Sequence, residues 1–193
     1  MLKRLYNWML DKAGHPQASK WLAGISFAES SFFPIPPDVM LAPMCLAKPE
    51  RSYWYALICT IASVLGALLG YAIGYFVFET VGMPILEFYG VTEKFDVFAQ
   101  NFNDQGWVVV FLAGFTPLPF KVITIAAGST AMPLHILIGA AILSRAARFF
   151  LVAVLLRYFG PPMKLWIDRN FALATTAVGI LFVGGFAAVS WLL

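Results

Sequence analysis

The chain has 193 residues, a formal net charge of +3 and a mean hydropathy of +0.80, with 61% of residues hydrophobic and only 12% charged. Soluble domains carry about a quarter charged residues, so this composition excludes a soluble enzyme and gives no basis for a nucleic-acid partner. The length suits one compact membrane domain.

The first residues do not read as a cleavable signal, because residues 1–12 lack a continuous apolar core and a small-residue cleavage site. Leu2, Leu5, Tyr6 and Met9 share one helical face, opposite Lys3, Arg4, Asn7 and Asp11, so residues 1–20 are expected to form an interfacial amphipathic segment. Beyond it, residues 21–193 are expected to form a single membrane domain.

A membrane-crossing helix needs about 20 mostly apolar residues. Residues 53–78, 134–158 and 171–193 each supply such a stretch without interruption. Two further apolar stretches, 21–47 and 107–132, are broken by proline clusters. Between them, residues 79–106 hold Glu79, Glu87, Glu93, Asp96 and Asp104 against one basic residue, Lys94. Within that connection Thr92 is expected to cap a short helix whose Phe95, Phe98 and Phe102 form an apolar stripe on the outer surface. Cys45 and Cys59 lie in apolar surroundings without metal-binding or redox spacing, and His15 and His135 are isolated beside prolines. No metal and no cofactor are expected.

The two broken stretches resemble each other. Pro34-Ile35-Pro36-Pro37-Asp38-Val39 aligns without gaps with Pro117-Leu118-Pro119-Phe120-Lys121-Val122, and each is followed by a long uninterrupted apolar helix. This defines repeat one, about 21–78, and repeat two, about 107–158, with a C-terminal helix at 171–193. Proline removes a backbone donor and disfavours helix at the preceding residue. Such irregular backbone is tolerated at membrane depth only inside protein or beside a wet cavity, so Pro34, Pro36, Pro117 and Pro119 mark the turns of two re-entrant hairpins.

Topology supports that reading. With hairpins at both places, the N-terminal segment, Lys48 and Arg51, and the loop holding Arg157, Lys164 and Arg169 are all cytoplasmic, and the acidic connection is outside. With full crossings at both places, the acidic stretch falls inside. The expected fold class is therefore an all-α integral membrane protein. It is an inverted repeat with two re-entrant helical hairpins, transmembrane helices and interfacial amphipathic helices.

Ionisable groups inside apolar segments cost a few kcal/mol each and mark pathways or sites. Glu29 and Asp38 flank the first proline turn, Lys121 follows the second, and Arg145 and Arg148, three residues apart, share a face of the next helix. Cations outnumber anions there, which favours an anionic ligand; the competing reading is a set of buried salt bridges joining the two halves. Gly66, Gly70 and Gly74, preceded by Ser63, form a small-residue face suited to close helix packing.

At these positions the sequence resembles the DedA superfamily, also called the VTT or SNARE-associated family, in its YqaA-like branch. The resemblance rests on Glu29 followed by Pro34-Ile35-Pro36 and on Gly66, Gly70 and Gly74 with Gly70-Tyr71. It rests also on Gly114-Phe115-Thr116-Pro117 leading to Ala127-Gly128, and on Ser144-Arg145-Ala146-Ala147-Arg148-Phe149. It covers roughly residues 21–160.

What the resemblance implies is a protein of the bacterial inner membrane that moves lipids between leaflets as a flippase or scramblase. The expected partner is a phospholipid or polyprenyl phosphate. Glu29 and Asp38 become its proton-coupling groups, and the cations around the second turn its phosphate-binding groups, matched here by Lys121. Apart from the resemblance, Lys121, Arg145 and Arg148 are expected to form a phosphate site, because three cations in apolar segments need anionic partners. The family often carries arginine just before and just after the second turn, where this chain has Gly114 and Lys121. Lysine offers only a point charge, so the substrate does not carry over directly. No catalytic residue is expected. A membrane-embedded lipid-modifying enzyme and a non-transporting scaffold are the alternatives, and a half-transporter of this size is able to pair with itself as a homodimer.

Overall fold

A computed structural model describes residues 17–32, 36–116 and 119–169, with side chains up to residue 160. The interfacial segment expected at the N-terminus, the helix expected at 171–193, and Pro34 and Pro117 of the two turns lie outside the described residues. The described chain is entirely helical, without strands. Its helices are α1 (Ala18–Ser31), α2 (Asp38–Ala47), α3 (Ser52–Val77), α4 (Met83–Tyr89), α5 (Thr92–Asp104), α6 (Gly106–Phe115), α7 (Phe120–Ser129) and α8 (Leu134–Arg169).

Helix is interrupted where the prolines require it. α1 stops at Ser31, whose hydroxyl turns back to the carbonyl of Phe27 at 2.7 Å, and helix resumes at Asp38 after the buried Pro37. α6 stops at Phe115 and α7 starts at Phe120 with Pro119 as its N-cap. The 14 residues of α1 and the 10 each of α2, α6 and α7 span about 21 and 15 Å, against a hydrocarbon core of about 30 Å.

α3 and α8 are different in kind. Among the described residues, Pro49–Tyr89 and Leu134–Gly160 are the two helical stretches long and apolar enough to cross a membrane. The first begins as a short 3₁₀ turn, Pro49–Arg51, and continues past α3 through a π-helical turn, Phe78–Gly82, into α4. α8 does not end near residue 158 as the sequence reading expects. Its backbone stays helical through Pro161 and Pro162 to Arg169, so residues 157–169 are helix rather than loop.

The connection at 79–106 is likewise mostly helical. α5 begins at Thr92 with Val91 as its N-cap, so Thr92 is the first helical residue and not the cap. Of the aromatic stripe of α5, Phe98 is exposed, while Phe95 stacks on Phe78 at 4.5 Å and the half-buried Phe102 packs against the core. Asn103 secures the far end of this helix, donating to the Thr130 carbonyl at 2.8 Å and accepting from the Thr130 hydroxyl at 3.1 Å.

The packing has an alternating pattern. α1 lies against α3 and α2 against α8; α6 lies against α8 and α7 against α3. In each half, the helix before the turn packs on that half's own long helix, and the helix after it packs on the other's. Glycines permit the contacts. A Cβ on Gly66 would strike the Phe27 carbonyl, on Gly70 the Thr124 hydroxyl, and on Gly74 the Ile125 carbonyl. The small-residue face of α3 therefore receives α1 at one end and α7 at the other.

Polarity is distributed inside out. Leu57, Ile61, Leu65, Phe76, Ile142, Leu143, Leu151 and Tyr158 are exposed, whereas Ser26, Ser30, Ser31, Ser63, Thr124, Ser144 and Arg145 are buried. Water would penalise that apolar exterior, and hydrocarbon would not.

Candidate functional site

The buried polar groups converge where both proline-broken segments meet α8. α1 delivers Glu29 in its last turn, α2 delivers Asp38 as its first residue, and α8 delivers Arg145 and Arg148 one turn apart. Two ion pairs result.

Arg145 is 1% exposed and Glu29 is 12% exposed; Nη2 of the arginine lies 3.0 Å from Oε2 and 3.4 Å from Oε1 of the carboxylate. The Ser30 hydroxyl donates to the same Oε2 at 3.1 Å and lies 2.6 Å from the hydroxyl of Ser63 on α3. The guanidinium carbon sits 4.0 Å above the ring centre of Phe120 and 5.7 Å from that of Phe149. Both rings are fully buried, so the cation is desolvated between aromatic faces and its carboxylate partner.

The second pair is more open. Nη2 of Arg148 pairs with Oδ2 of Asp38, with the two side chains 18% and 26% exposed. Nη1 of Arg148 donates to the carbonyl of Thr116 at 2.6 Å, at the C-terminal end of α6. A cation there also satisfies one of the unpaired carbonyls that end every helix.

Each arginine therefore touches both broken segments. Arg145 joins Glu29 of the first to Phe120 of the second, and Arg148 joins Asp38 of the first to Thr116 of the second. A further link runs between the segments directly: the Thr124 hydroxyl lies 3.0 Å from the carbonyl of Ser30 and 3.0 Å from that of Lys121 in its own helix. Among the described residues, Nε of Arg145 and Oδ1 of Asp38 are buried without a hydrogen-bond partner, leaving one donor and one acceptor at the centre of the cluster.

Of the residues singled out from sequence, Glu29, Asp38, Arg145 and Arg148 come together, as two pairs. Lys121 occupies the first turn of α7 between Phe120 and Thr124, half-buried, and forms no ion pair among the described residues. Pro36 and Pro119 are exposed at the turns. Ser30, Ser63, Thr116, Phe120 and Thr124 complete the cluster without having been singled out for it. Ser30 and Phe120 are sequence neighbours of Glu29 and Lys121, which is the one signal that pointed to them. Among the described residues, no three His, Cys, Asp or Glu side chains gather as a metal ion would require.

Residues 34–158 match the VTT domain. The chain is 37% identical over 179 residues to an uncharacterized protein of Haemophilus influenzae, covering 93% of each. It is 38% identical over 180 residues to an uncharacterized protein of Histophilus somni, covering 93% of this chain and 89% of that one. An uncharacterized protein of Methanocaldococcus jannaschii is 30% identical over 129 residues, 66% of this chain and 77% of the relative. No solved structure matches the chain. The domain match spans the broken segments, both long helices and the arginine pair, and together with the apolar exterior it makes this chain a membrane protein of the VTT-domain family, the DedA family.

Proposed function

We propose that this protein transports a phosphate-bearing lipid, a phospholipid or polyprenyl phosphate, between the leaflets of the bacterial inner membrane without changing it chemically. The observation that carries this reading is the pair of arginines held where two proline-broken segments of short helices meet inside an apolar exterior. Charged groups at membrane depth are costly, and here they join short helices of the first broken segment to the long α8.

In this reading the two broken segments are re-entrant hairpins, one entering from the cytoplasm and one from outside, with their tips near the midplane. Two observations support the reading: each helix alone, at about 15–21 Å, is too short to cross, and α1, α2, α6 and α7 pack on α3 and α8 in the same alternating order in both halves. The N-terminus and the 48–52 loop are cytoplasmic, and the 79–106 connection is extracytoplasmic. Introduced cysteines in the two loops, labelled from each side, test the arrangement; finding both on one face defeats it.

Lys121, Arg145 and Arg148 bind the phosphate. In the arrangement described here both arginines are engaged by carboxylates, so phosphate competes with Glu29 and Asp38 for them. A carboxylate that loses its cation at membrane depth favours its protonated form, so lipid binding is coupled to proton uptake with no covalent step. Lipid flux in proteoliposomes, with and without an imposed pH gradient, tests this for the parent, Glu29→Gln, Asp38→Asn and Arg148→Gln. Arg148→Gln is expected to abolish flux in a folded protein, and the carboxylate variants to lose the gradient response. Flux that ignores the gradient and survives both carboxylate substitutions leaves passive scrambling as the better account.

The pairing itself favours a second reading, in which the ion pairs only join the two halves of a scaffold. It predicts that Arg148→Gln lowers thermal stability, and that the parent protein moves no lipid. A lipid chemically altered in the same assay identifies an enzyme instead.

A further inference from the structure

α7 grips the Glu29–Arg145 pair from both ends. Phe120 lays its ring 4.0 Å from the guanidinium carbon. One turn later, the Thr124 hydroxyl holds the carbonyl of Ser30, the residue whose own hydroxyl is on the Glu29 carboxylate. Between these two contacts in sequence stands Lys121, without an ion-pair partner among the described residues. α3 leaves space for the arrangement at Gly70, where a Cβ would strike the Thr124 hydroxyl and approach the Ser30 carbonyl to 3.1 Å.

We infer that Phe120 and Thr124 are positioning residues that keep the Glu29–Arg145 pair closed, and that a phosphate drawn to Lys121 opens the pair by shifting the first turn of α7. This rests on the phosphate-lipid reading above and adds the element that carries the signal. The geometry gives the reason. With Arg145 only 1% exposed, an anion reaches it only after Phe120 moves aside and Glu29 lets go. Phe120 and Thr124, which hold the pair, both stand on α7, the helix that bears Lys121, a lysine without an ion-pair partner among the described residues. Ser30 is held from the α3 side by Ser63 at 2.6 Å and from the α7 side by Thr124 at 3.0 Å.

A latch acts with a sign that a merely structural contact lacks. If the closed pair competes with phosphate, weakening the grip raises the fraction of protein able to bind and so tightens apparent affinity. A lost hydrogen bond or ring contact of ordinary strength corresponds to roughly two- to tenfold. A residue that only supports the fold would, when removed, weaken binding or leave it alone.

The test is equilibrium binding to the full chain in phosphatidylcholine nanodiscs. A short-chain phosphatidic acid is titrated against the phosphatidylcholine of equal chain length, and bound lipid is read by native mass spectrometry. Thr124→Val and Phe120→Leu are expected to bind phosphatidic acid roughly two- to tenfold more tightly than the parent. Thr124→Ser, which keeps the hydroxyl, is expected to match the parent. In an Arg145→Gln background the gain should vanish, because the newly available cation is gone. Phe120 and Thr124 act on opposite ends of the pair, so if one variant fails to fold the other decides. Unchanged or weaker binding in Thr124→Val and Phe120→Leu, beside a parent that prefers phosphatidic acid, overturns the latch and leaves the transport reading standing. No preference for phosphatidic acid in the parent or any variant overturns both.

Discussion

The two proline-broken segments share an architecture and differ in chemistry. The first, α1 and α2, brings both carboxylates of the buried cluster; the second, α6 and α7, brings a carbonyl, an aromatic ring, a hydroxyl and a lysine. The arginines that need carboxylates sit on α8, the long helix after the second segment. Charge neutrality is therefore reached only between halves. Either half alone would leave charge uncompensated in an apolar environment, which ties the two together more specifically than apolar packing in a membrane can.

That asymmetry predicts unequal responses to equivalent substitutions. Glu29→Gln strands a guanidinium that is 1% exposed, and removal of one partner from a buried pair costs about 3–5 kcal/mol. It should give the largest loss in unfolding free energy measured in detergent. Glu29→Gln combined with Arg145→Gln should lose much less than the two single variants added together, the signature of a direct pair.

Next in size are the glycines that let each segment approach α3. Gly66→Ala places a methyl against the Phe27 carbonyl in the first segment's contact, and Gly74→Ala places one against the Ile125 carbonyl in the second's. Both obstacles are backbone, so each should cost about 1–3 kcal/mol, read from the same unfolding curves. Equal losses would show that the two segments share the small-residue face of α3 evenly. A smaller loss at Gly74 would mark the α7 side as the yielding one.

Asp38→Asn should cost less again, about 1 kcal/mol or below, because the Arg148–Asp38 pair is 18% and 26% exposed and solvent or headgroups relieve the change. Its transport defect should exceed its stability defect, the reverse of the order expected for Gly66→Ala. Thermal unfolding and proteoliposome flux measured on the same preparations make that comparison.

Much of this organisation is legible in the sequence, because it follows from local rules. Prolines at 34–37 and 117–119 forbid continuous helix, and helix stops at Ser31 and Phe115. Gly66, Gly70 and Gly74 announce close packing, and the stretches 53–78 and 134–158 announce the long helices. What the sequence conceals is pairwise choice at long range. Which carboxylate meets which arginine depends on how α1 and α2 cross α8, over separations of 116 and 110 residues. Phe120 and Thr124 carry no charge to mark them, and only tertiary packing sets them beside Arg145 and Ser30. The stretch holding Arg157, Lys164 and Arg169 reads as a loop, yet the backbone of α8 stays helical to Arg169. The stripe of α5 reads as lying on the outer surface; Phe98 is exposed there, whereas Phe95 and Phe102 are half-buried against the protein.

The smallest stability change is expected at Lys121, and it bears most directly on what the second segment contributes. Lys121 has no ion-pair partner among the described residues and is half-buried, so Lys121→Gln breaks no pair and should alter unfolding free energy by no more than about 0.5 kcal/mol. If it is the first cation a phosphate meets, flux should nevertheless fall, with the larger change in apparent affinity for the lipid rather than in maximal rate. An interaction that binds ground state and transition state alike has that effect. Lys121→Arg sharpens the point. Arginine presents a planar fork where lysine presents a point charge, so the arginine variant should retain flux and hold a phosphomonoester lipid at least as tightly as the parent. Flux in Lys121→Gln equal to the parent's would leave the second segment with positioning roles only, and the cation work to Arg145 and Arg148.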